Sequence, residues 1–393
     1  MEFESIQKRG IKMDFNFSDE QKMLRNSIRK FLNGECPRDF VREFDEKDQF
    51  PFELVKKLSN LGYMMTCVPE EHGGTGGNII DSMIVYEEIS RVLPALAGAV
   101  GNIGLYGNEV ILKNGSEEQK KIHIPKLIKG HEIFAFAVSE PDVGSDAASI
   151  RTKAVLNNGD YVINGNKMYI TGAGASDIVI TAARTAESKY KGITLFLVDT
   201  KSEGYSAIPL KKFGLHGSNT CEVVFSDVKV SAENILGGVS GLNHGWEQMM
   251  KILNSERLTM SSLALGIGQA ALDDALQYAK TRIQFNQPIG KFQVIQHKLV
   301  DMATELEAAK WLAYYAAWRE SENMECMKEA SMSKYFAAET AKRTVIQGMQ
   351  ILGGYGYMME VDMQRYLRDA FLFTIVGGTT EIQKNIIGKI LGL

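Results

Sequence analysis

The sequence predicts a mainly α fold with a middle β domain, in the order helices, strands, helices. Three observations predict it. Capped segments with apolar residues at helical spacing fill residues 13–132, short β-branched and aromatic runs between turn residues fill 133–235, and long alanine-rich helical stretches fill 236–393. A chain of 393 residues is long enough to bury more than one core, so the three regions are read as three domains.

The first helix opens in SDEQKMLRNSIRKFL, where Ser18 and Gln21 form a capping box and Met23, Leu24, Ile28, Phe31 and Leu32 supply an apolar stripe. PFELVKKLSNLGY, NIIDSMIVYEEISRVL and SEEQKKIHIPKLIKG repeat that signal, punctuated by Pro51, Gly73, Gly74, Gly76, Gly77 and Gly130. YVINGNKMYITG, DIVITAART, ITLFLVDT and CEVVFSDVKV then read as strands, separated by turn residues such as NNGD. After GLNHGW, three long segments are sufficient for a helical bundle: LTMSSLALGIGQAALDDALQYAKTR, VIQHKLVDMATELEAAKWLAYYAAW and EASMSKYFAAETAKRTVIQGMQIL. Met13 begins MDFNFSDEQ, which reads as a natural start, and residues 1–12 are set aside as an extension.

Composition narrows the function. Lys and Arg number 44 against 48 Asp and Glu, a net charge of −4 that argues against a nucleic-acid binder. Cys36, Cys67, Cys221 and Cys326 form no CxxC pair, which fits reduced thiols of a cytoplasmic protein. The six histidines show no HxxxH or HExxH spacing, so no metal site is expected. No run approaches the roughly 20 apolar residues of a membrane span, and MEFESIQKRGIK lacks the apolar centre of a secretion signal.

Five words carry chemistry. FAVSEPDVGSD (136–146) runs from a strand into a Pro and Gly turn, leaving backbone N–H groups and the Ser139 and Ser145 hydroxyls for a polar heterocycle or phosphate. In KMYITGAG (167–174), Tyr169 and Thr171 stand two apart and so on one side of a strand, where a planar ligand would lie. TRIQFNQPIGKFQVIQ (281–296) places Arg282 at a helix end, and a guanidinium fork matches a pyrophosphate. MQILGGYGY (349–357) follows a helix rather than a strand, so its glycines are no Rossmann signature. GGTTEIQ (377–383) joins two glycines, which free φ and admit close approach to the backbone, to Thr379, Thr380 and Glu381, which suit a helix start. Taken singly, these words are equally an ordinary strand-to-loop junction, a half-buried strand, a solvated arginine and interhelical turns.

Together and in this order, they resemble the flavin-dependent acyl-CoA dehydrogenase family along nearly the whole chain from Met13. The resemblance implies an N-terminal helical domain, a middle β-barrel and a C-terminal four-helix bundle, assembled as a homotetramer. It implies FAD as cofactor, an acyl-CoA thioester as substrate and an electron-transfer flavoprotein as partner. Val138 and Ser139 would bond the flavin ring edge, Ser145 would face the pyrophosphate and the CoA, and Tyr169 and Thr171 would lie against the ring, where the family often has Trp. Arg282, Phe285 and Gln296 would meet a neighbouring subunit's cofactor, with Gln350, Gly353 and Gly354 along its ADP portion and Thr379 and Glu381 also on the cofactor. Asn254, Arg257 and Gly378 would contact substrate.

Many members carry the proton-abstracting glutamate at the position of Gly377. A branch resembling isovaleryl-CoA and long-chain acyl-CoA dehydrogenases carries it on a bundle helix directly before an arginine, and LNSERLTM matches with Glu256 before Arg257. Glu256 is therefore the expected base, and the Gly377 N–H the expected donor to the thioester carbonyl. Small residues in ALAGAVGNIGLYG (95–107), with Gly377, suggest a wide acyl group. Two alternatives share the fold: oxidation of a cyclic or aryl-substituted acyl-CoA by another base, and a catalytically silent scaffold that binds acyl-CoA or FAD.

Overall fold

The computed structural model describes residues 16–393, and the stretch 1–12 read as an extension lies outside them. The N-terminal helices are α1 (Asp19–Glu35), α2 (Arg38–Lys47), α3 (Phe52–Asn60), α4 (Ile79–Val92), α5 (Pro94–Gly101), α6 (Val110–Asn114) and α7 (Glu117–Ile128), with a π-helical turn at Asn102–Glu109 between α5 and α6. Ser18 Oγ accepts from the Gln21 N–H at 3.2 Å and Gln21 Oε1 accepts from the Ser18 N–H at 3.1 Å, so the predicted capping box forms. Reciprocal boxes at Asn78/Asp81 and Ser116/Gln119 start α4 and α7 in the same way. Ile28 and Leu32 are buried as predicted, but Met23 is 71% exposed. At about 100° per residue it falls well off the face formed by Leu24, Ile28, Phe31 and Leu32, on the solvent side of α1.

Strands β1 (Phe134–Ala137), β2 (Lys153–Asn157), β3 (Asp160–Ile170), β4 (Ile178–Arg184), β5 (Ile193–Asp199), β6 (Tyr205–Pro209) and β7 (Cys221–Ser231) form one mixed sheet, ordered β1-β4-β2-β3-β7-β6 with β5 on β4. β1 is parallel to β4, whereas β3 and β7 are antiparallel. The sheet is the middle β domain that the resemblance implied, in the form of an open half-barrel: among the described residues no ladder joins β6 to the opposite edge. Tyr161, Ile163, Phe196, Val223 and Phe225 fill its own core.

The C-terminal region comprises α8 (Gly245–Met250), α9 (Leu253–Thr281), a hairpin of β8 (Ile283–Gln284) and β9 (Gln287–Pro288), α10 (Gln293–Ser321), α11 (Met327–Leu352), α12 (Met363–Leu372) and α13 (Thr380–Ile390). The three long helices α9, α10 and α11 pack mutually, α13 lies on α11, and α4 lies on α9. Gly266 permits that last contact: a β-carbon there would meet Glu87 O at 2.3 Å and the Arg91 N at 2.8 Å. One apolar core consequently runs from Ile28 and Ile84 through Ile267 and Ala271 to Val345 and Ile351, joining both helical regions.

The four cysteines are free thiols. Among the described residues no helix is long and apolar enough to cross a membrane, and no cluster of His, Cys, Asp or Glu could hold a metal ion.

Candidate active site

The turn between α12 and α13 is built around its two glycines. Gly377 (φ 65°) and Gly378 (φ 83°) both occupy the left-handed region that disfavours side chains. Gln383 Nε2 donates to the carbonyls of Gly377 at 3.0 Å and Gly378 at 3.1 Å, and Lys334 Nζ donates to the Gly378 carbonyl at 2.7 Å. With the carbonyls held, the N–H groups of Gly377 and Gly378 have no partner among the described residues. Thr379 caps α13 by accepting from the Ile382 N–H at 3.3 Å, and Glu381 sits exposed in the first helical turn.

Glu256 enters this turn from the first part of α9. A β-carbon at position 377 would stand 3.8 Å from Glu256 Oε1 and 3.2 Å from Met260 Cγ. The carboxylate thus lies beside the space that glycine leaves open. Tyr106, on the π-helical turn, donates its hydroxyl to Glu256 Oε1 at 3.0 Å. Burial raises the Glu256 pKa above the ordinary carboxylate value; the Tyr106 hydrogen bond and the charges of Arg257 and Lys334 oppose that rise, while Glu109 adds to it. Lys334 is fully buried, and burial lowers it to about 8 against the pull of Glu256 and Glu339.

Arg257 is buried one residue on; its Nη1 donates to Asn254 Oδ1 at 3.2 Å, and its Nε has no hydrogen-bond partner among the described residues. Asn254 Nδ2 is directed to Glu320 at 3.5 Å and Cys326 Sγ at 3.4 Å, so its side chain is engaged inside the bundle.

The second group of predicted residues lies at the end of β1. The Val138 carbonyl accepts from Lys167 Nζ at 2.9 Å and the Ser139 carbonyl accepts from the Met168 N–H at 2.8 Å. Lys167 is fully buried and pairs with Glu140 at 2.8 Å, which also accepts from the Arg151 and Thr152 N–H groups. Ser145 is exposed in the following turn.

The expectation that Tyr169 and Thr171 share a face of a regular strand is corrected. The β3–β7 register shifts between Lys167 and Ile170, Tyr169 has φ 64° and is 69% exposed, and Thr171 lies past the end of β3. A bulge breaks the two-residue alternation. The turn holding Thr171 is fixed instead by Asn102 Nδ2, which donates to the Thr171 carbonyl at 3.2 Å.

The π-helical turn therefore joins both groups. Asn102 holds the turn after β3, Tyr106 stacks on Phe136 of β1 with centroids 5.4 Å apart and 7° between planes, and the same Tyr106 reaches Glu256. Such turns recur at functional sites. The small residues of 95–107 are only partly free: a β-carbon at Gly104 would meet the Tyr86 hydroxyl at 2.5 Å and one at Gly107 would meet Leu127 at 2.5 Å, while Gly98 and Gly101 face open space.

Arg282, Gly353 and Gly354 line a single concavity of about 830 Å³ together with Tyr278, Tyr355 and Glu360. Arg282 has no carboxylate partner among the described residues, and β-carbons at Gly353 and Gly354 would meet nothing within 4 Å. An unpaired guanidinium beside open glycine backbone fits a pyrophosphate group. Phe285 is displayed at the tip of the β8–β9 hairpin, and Gln296 and Gln350 are exposed on α10 and α11.

Tyr106, Lys334 and Gln383 were not singled out from sequence. Lys334 had a signal: it falls in register with the buried residues Ala330, Ala337, Ala338 and Ala341 of α11.

Three family profiles match in order: acyl-CoA dehydrogenase N-terminal domain over 18–131, middle domain over 135–228 and C-terminal domain over 243–392. The chain is 42% identical over 377 residues to an acyl-CoA dehydrogenase of Bacillus subtilis (strain 168), covering 95% of this chain and 98% of that one. It is 38% identical over 377 residues to a caffeyl-CoA reductase–Etf complex subunit of Acetobacterium woodii, covering 95% and 99%. The fold matches butyryl-CoA dehydrogenase from Megasphaera elsdenii with a TM-score of 0.93 and 35% identity over 97% of this chain and 100% of that one. The chain belongs to the acyl-CoA dehydrogenase family, a family of flavoprotein oxidoreductases.

Proposed function

We propose that this protein is an FAD-dependent acyl-CoA dehydrogenase in which Glu256 is the base. The observation that carries the proposal is the position of the Glu256 carboxylate beside the side-chain space of Gly377. In the overall step, a double bond forms between Cα and Cβ of the thioester as the α-proton passes to Glu256 and the β-hydride leaves. FAD, when bound, supplies the hydride acceptor. Arg282, Gly353 and Gly354 would hold its pyrophosphate and ADP portion, and Val138 and Ser139 its ring edge.

The chain's own contribution is acid–base and electrostatic. Burial keeps Glu256 more basic than a solvated carboxylate, which suits abstraction of a weakly acidic proton. The Gly377 N–H, which has no partner among the described residues, would donate to the thioester oxygen as negative charge develops there, an effect of about 3 kcal/mol per donor. Arg257 would serve the CoA portion. Phe285, Arg282 and Gln296 would complete the cofactor site of a neighbouring subunit in a homotetramer, and an electron-transfer flavoprotein would take the electrons. The relative named as a reductase–Etf complex subunit supports that partner.

The same relative, with the raised pKa of Glu256, supports the reverse direction as a second reading: a protonated Glu256 would return the proton to Cα, and the reduced cofactor, when bound, would supply the hydride to Cβ of the enoyl thioester.

Anaerobic flavin bleaching by a panel of straight, branched, cyclic and aryl-substituted acyl-CoA thioesters tests the activity and the acyl group together. Glu256→Gln is expected to keep flavin content and thioester binding and to slow single-turnover bleaching by about two to four orders of magnitude. Equal rates would place the base elsewhere, and a flavin that no thioester bleaches would leave a silent scaffold.

A further inference from the structure

We propose that Tyr106 is a positioning residue for the base: its hydroxyl fixes Glu256 Oε1, the oxygen beside the Gly377 space, and so holds the orientation of the carboxylate and tunes its basicity. The inference rests on the assignment of Glu256 as base. Four observations carry it. The hydrogen bond is 3.0 Å long, between two side chains brought together from positions 150 residues apart. The phenol ring is held independently of Glu256, stacked at 7° on Phe136, so the donor is aimed before any ligand arrives. Tyr106 sits on a π-helical turn flanked by α-helices, and the wider π turn changes where its side chain projects. The same turn is tied to the segment after β3 by Asn102, which fixes its position from the other side.

Tyr106 acts as a donor and not as a second acid. Burial pushes its pKa well above the ordinary tyrosine value, with the Glu256 charge and their hydrogen bond pushing the same way, so the phenol stays protonated across the working range. A hydroxyl donating to a carboxylate stabilises the charged form and holds its pKa down. The other groups facing Glu256 are Glu109 on the same π turn, which raises it, Arg257 on α9 and Lys334 on α11, which lower it. Tyr106 is the hydrogen-bonding member of that set, and it trades basicity for a single orientation.

Sequence gave a different emphasis to residues 95–107, read for their small side chains. Tyr106 is the large polar residue in that run, and it occupies the space next to the base instead of widening it.

The test reads Glu256 directly. In purified flavin-loaded protein, the infrared carboxyl band that disappears in Glu256→Gln reports protonation of Glu256, and its pH midpoint is measured in wild type and in Tyr106→Phe, which keeps the ring on Phe136. The midpoint is expected to rise by about one pH unit in Tyr106→Phe, a tenfold change in ionisation, and the pH profile of single-turnover flavin bleaching is expected to shift with it. Tyr106→Met, of similar reach and without a donor, provides a second variant should the first lose its fold. An unchanged or lowered midpoint in a folded variant would overturn the proposal. Wild-type bleaching rates in Glu256→Gln would instead remove the base assignment, while the band would still report whether Tyr106 tunes the carboxylate.

Discussion

A β-carbon on Gly377 would stand 3.8 Å from Glu256 Oε1 and 4.0 Å from its Cδ, so residue 377 and the Glu256 carboxylate share one volume. The missing side chain in the turn and the glutamate on α9 are two aspects of a single arrangement. A carboxylate can be delivered to that volume from the turn or from the helix, and burying two like charges there is unfavourable. The glycine also suits the backbone, because φ 65° is costly for any residue with a β-carbon.

The first prediction follows from this shared space. Gly377→Glu in the wild-type background is expected to cost about 1–2 kcal/mol of stability from the left-handed φ, with more from the 3.2 Å approach to Met260 Cγ. It is also expected to raise the apparent pKa of Glu256, since two carboxyls then share one pocket. Denaturant unfolding and the pH profile of flavin bleaching check the two effects separately. Unchanged stability together with an unchanged profile would mean that the turn moves aside and the volume is not shared.

What was legible in the sequence depended on how local its cause was. The Ser18–Gln21 box and the Thr379 cap are local hydrogen-bond patterns, and both formed as read. The order of helical and strand regions followed from periodicity. Met23 was misplaced because its neighbour Leu24 lies on the apolar face, whereas one residue's rotation of about 100° carries Met23 off it. Tyr169 and Thr171 were misplaced because the bulge in β3 is imposed by pairing with β7, far along the chain. Phe285 and Asn286 turn a hairpin without the usual Asn-Gly, so no turn signal marked it. Tyr106 escaped notice because its partner is 150 residues away.

Lys334 provides a prediction about stability and pH. Burial holds its pKa at about 8 against an ordinary 10.5, so between these values the unfolded chain binds more protons than the folded one. Stability contributed at this site therefore rises with pH through that window, and below about pH 8 the full cost of the buried cation is present, about 3 kcal/mol. Lys334→Met is expected to be at least as stable as wild type at pH 7 and to lose that relative advantage by pH 10.5. It should also slow flavin bleaching, because the Gly378 carbonyl keeps only Gln383 as donor. Chemical unfolding across pH, compared with wild type, checks the sign; a pH-independent loss of stability would contradict it.

The last prediction concerns Phe285. The hairpin turn places Phe285 at φ 50° and Asn286 at φ 61°, with Gln284 paired to Gln287, which is the geometry of a two-residue type I′ turn. Asn or Gly suits the first position; a phenylalanine there costs about 1–2 kcal/mol. Among the described residues little offsets this, since Phe285 is 89% exposed and its ring meets that of Phe292 edge-on with centroids 6.0 Å apart. If Phe285 completes a neighbouring subunit's cofactor site, Phe285→Asn should stabilise the separated, flavin-free chain by about 1 kcal/mol, yet release flavin faster on dilution and weaken self-association. Unfolding of the flavin-free protein, flavin fluorescence after dilution and sedimentation measure the three effects. A variant that gains stability while keeping flavin and assembly unchanged would show that the ring contributes to neither, and that the strain at position 285 belongs to the hairpin alone.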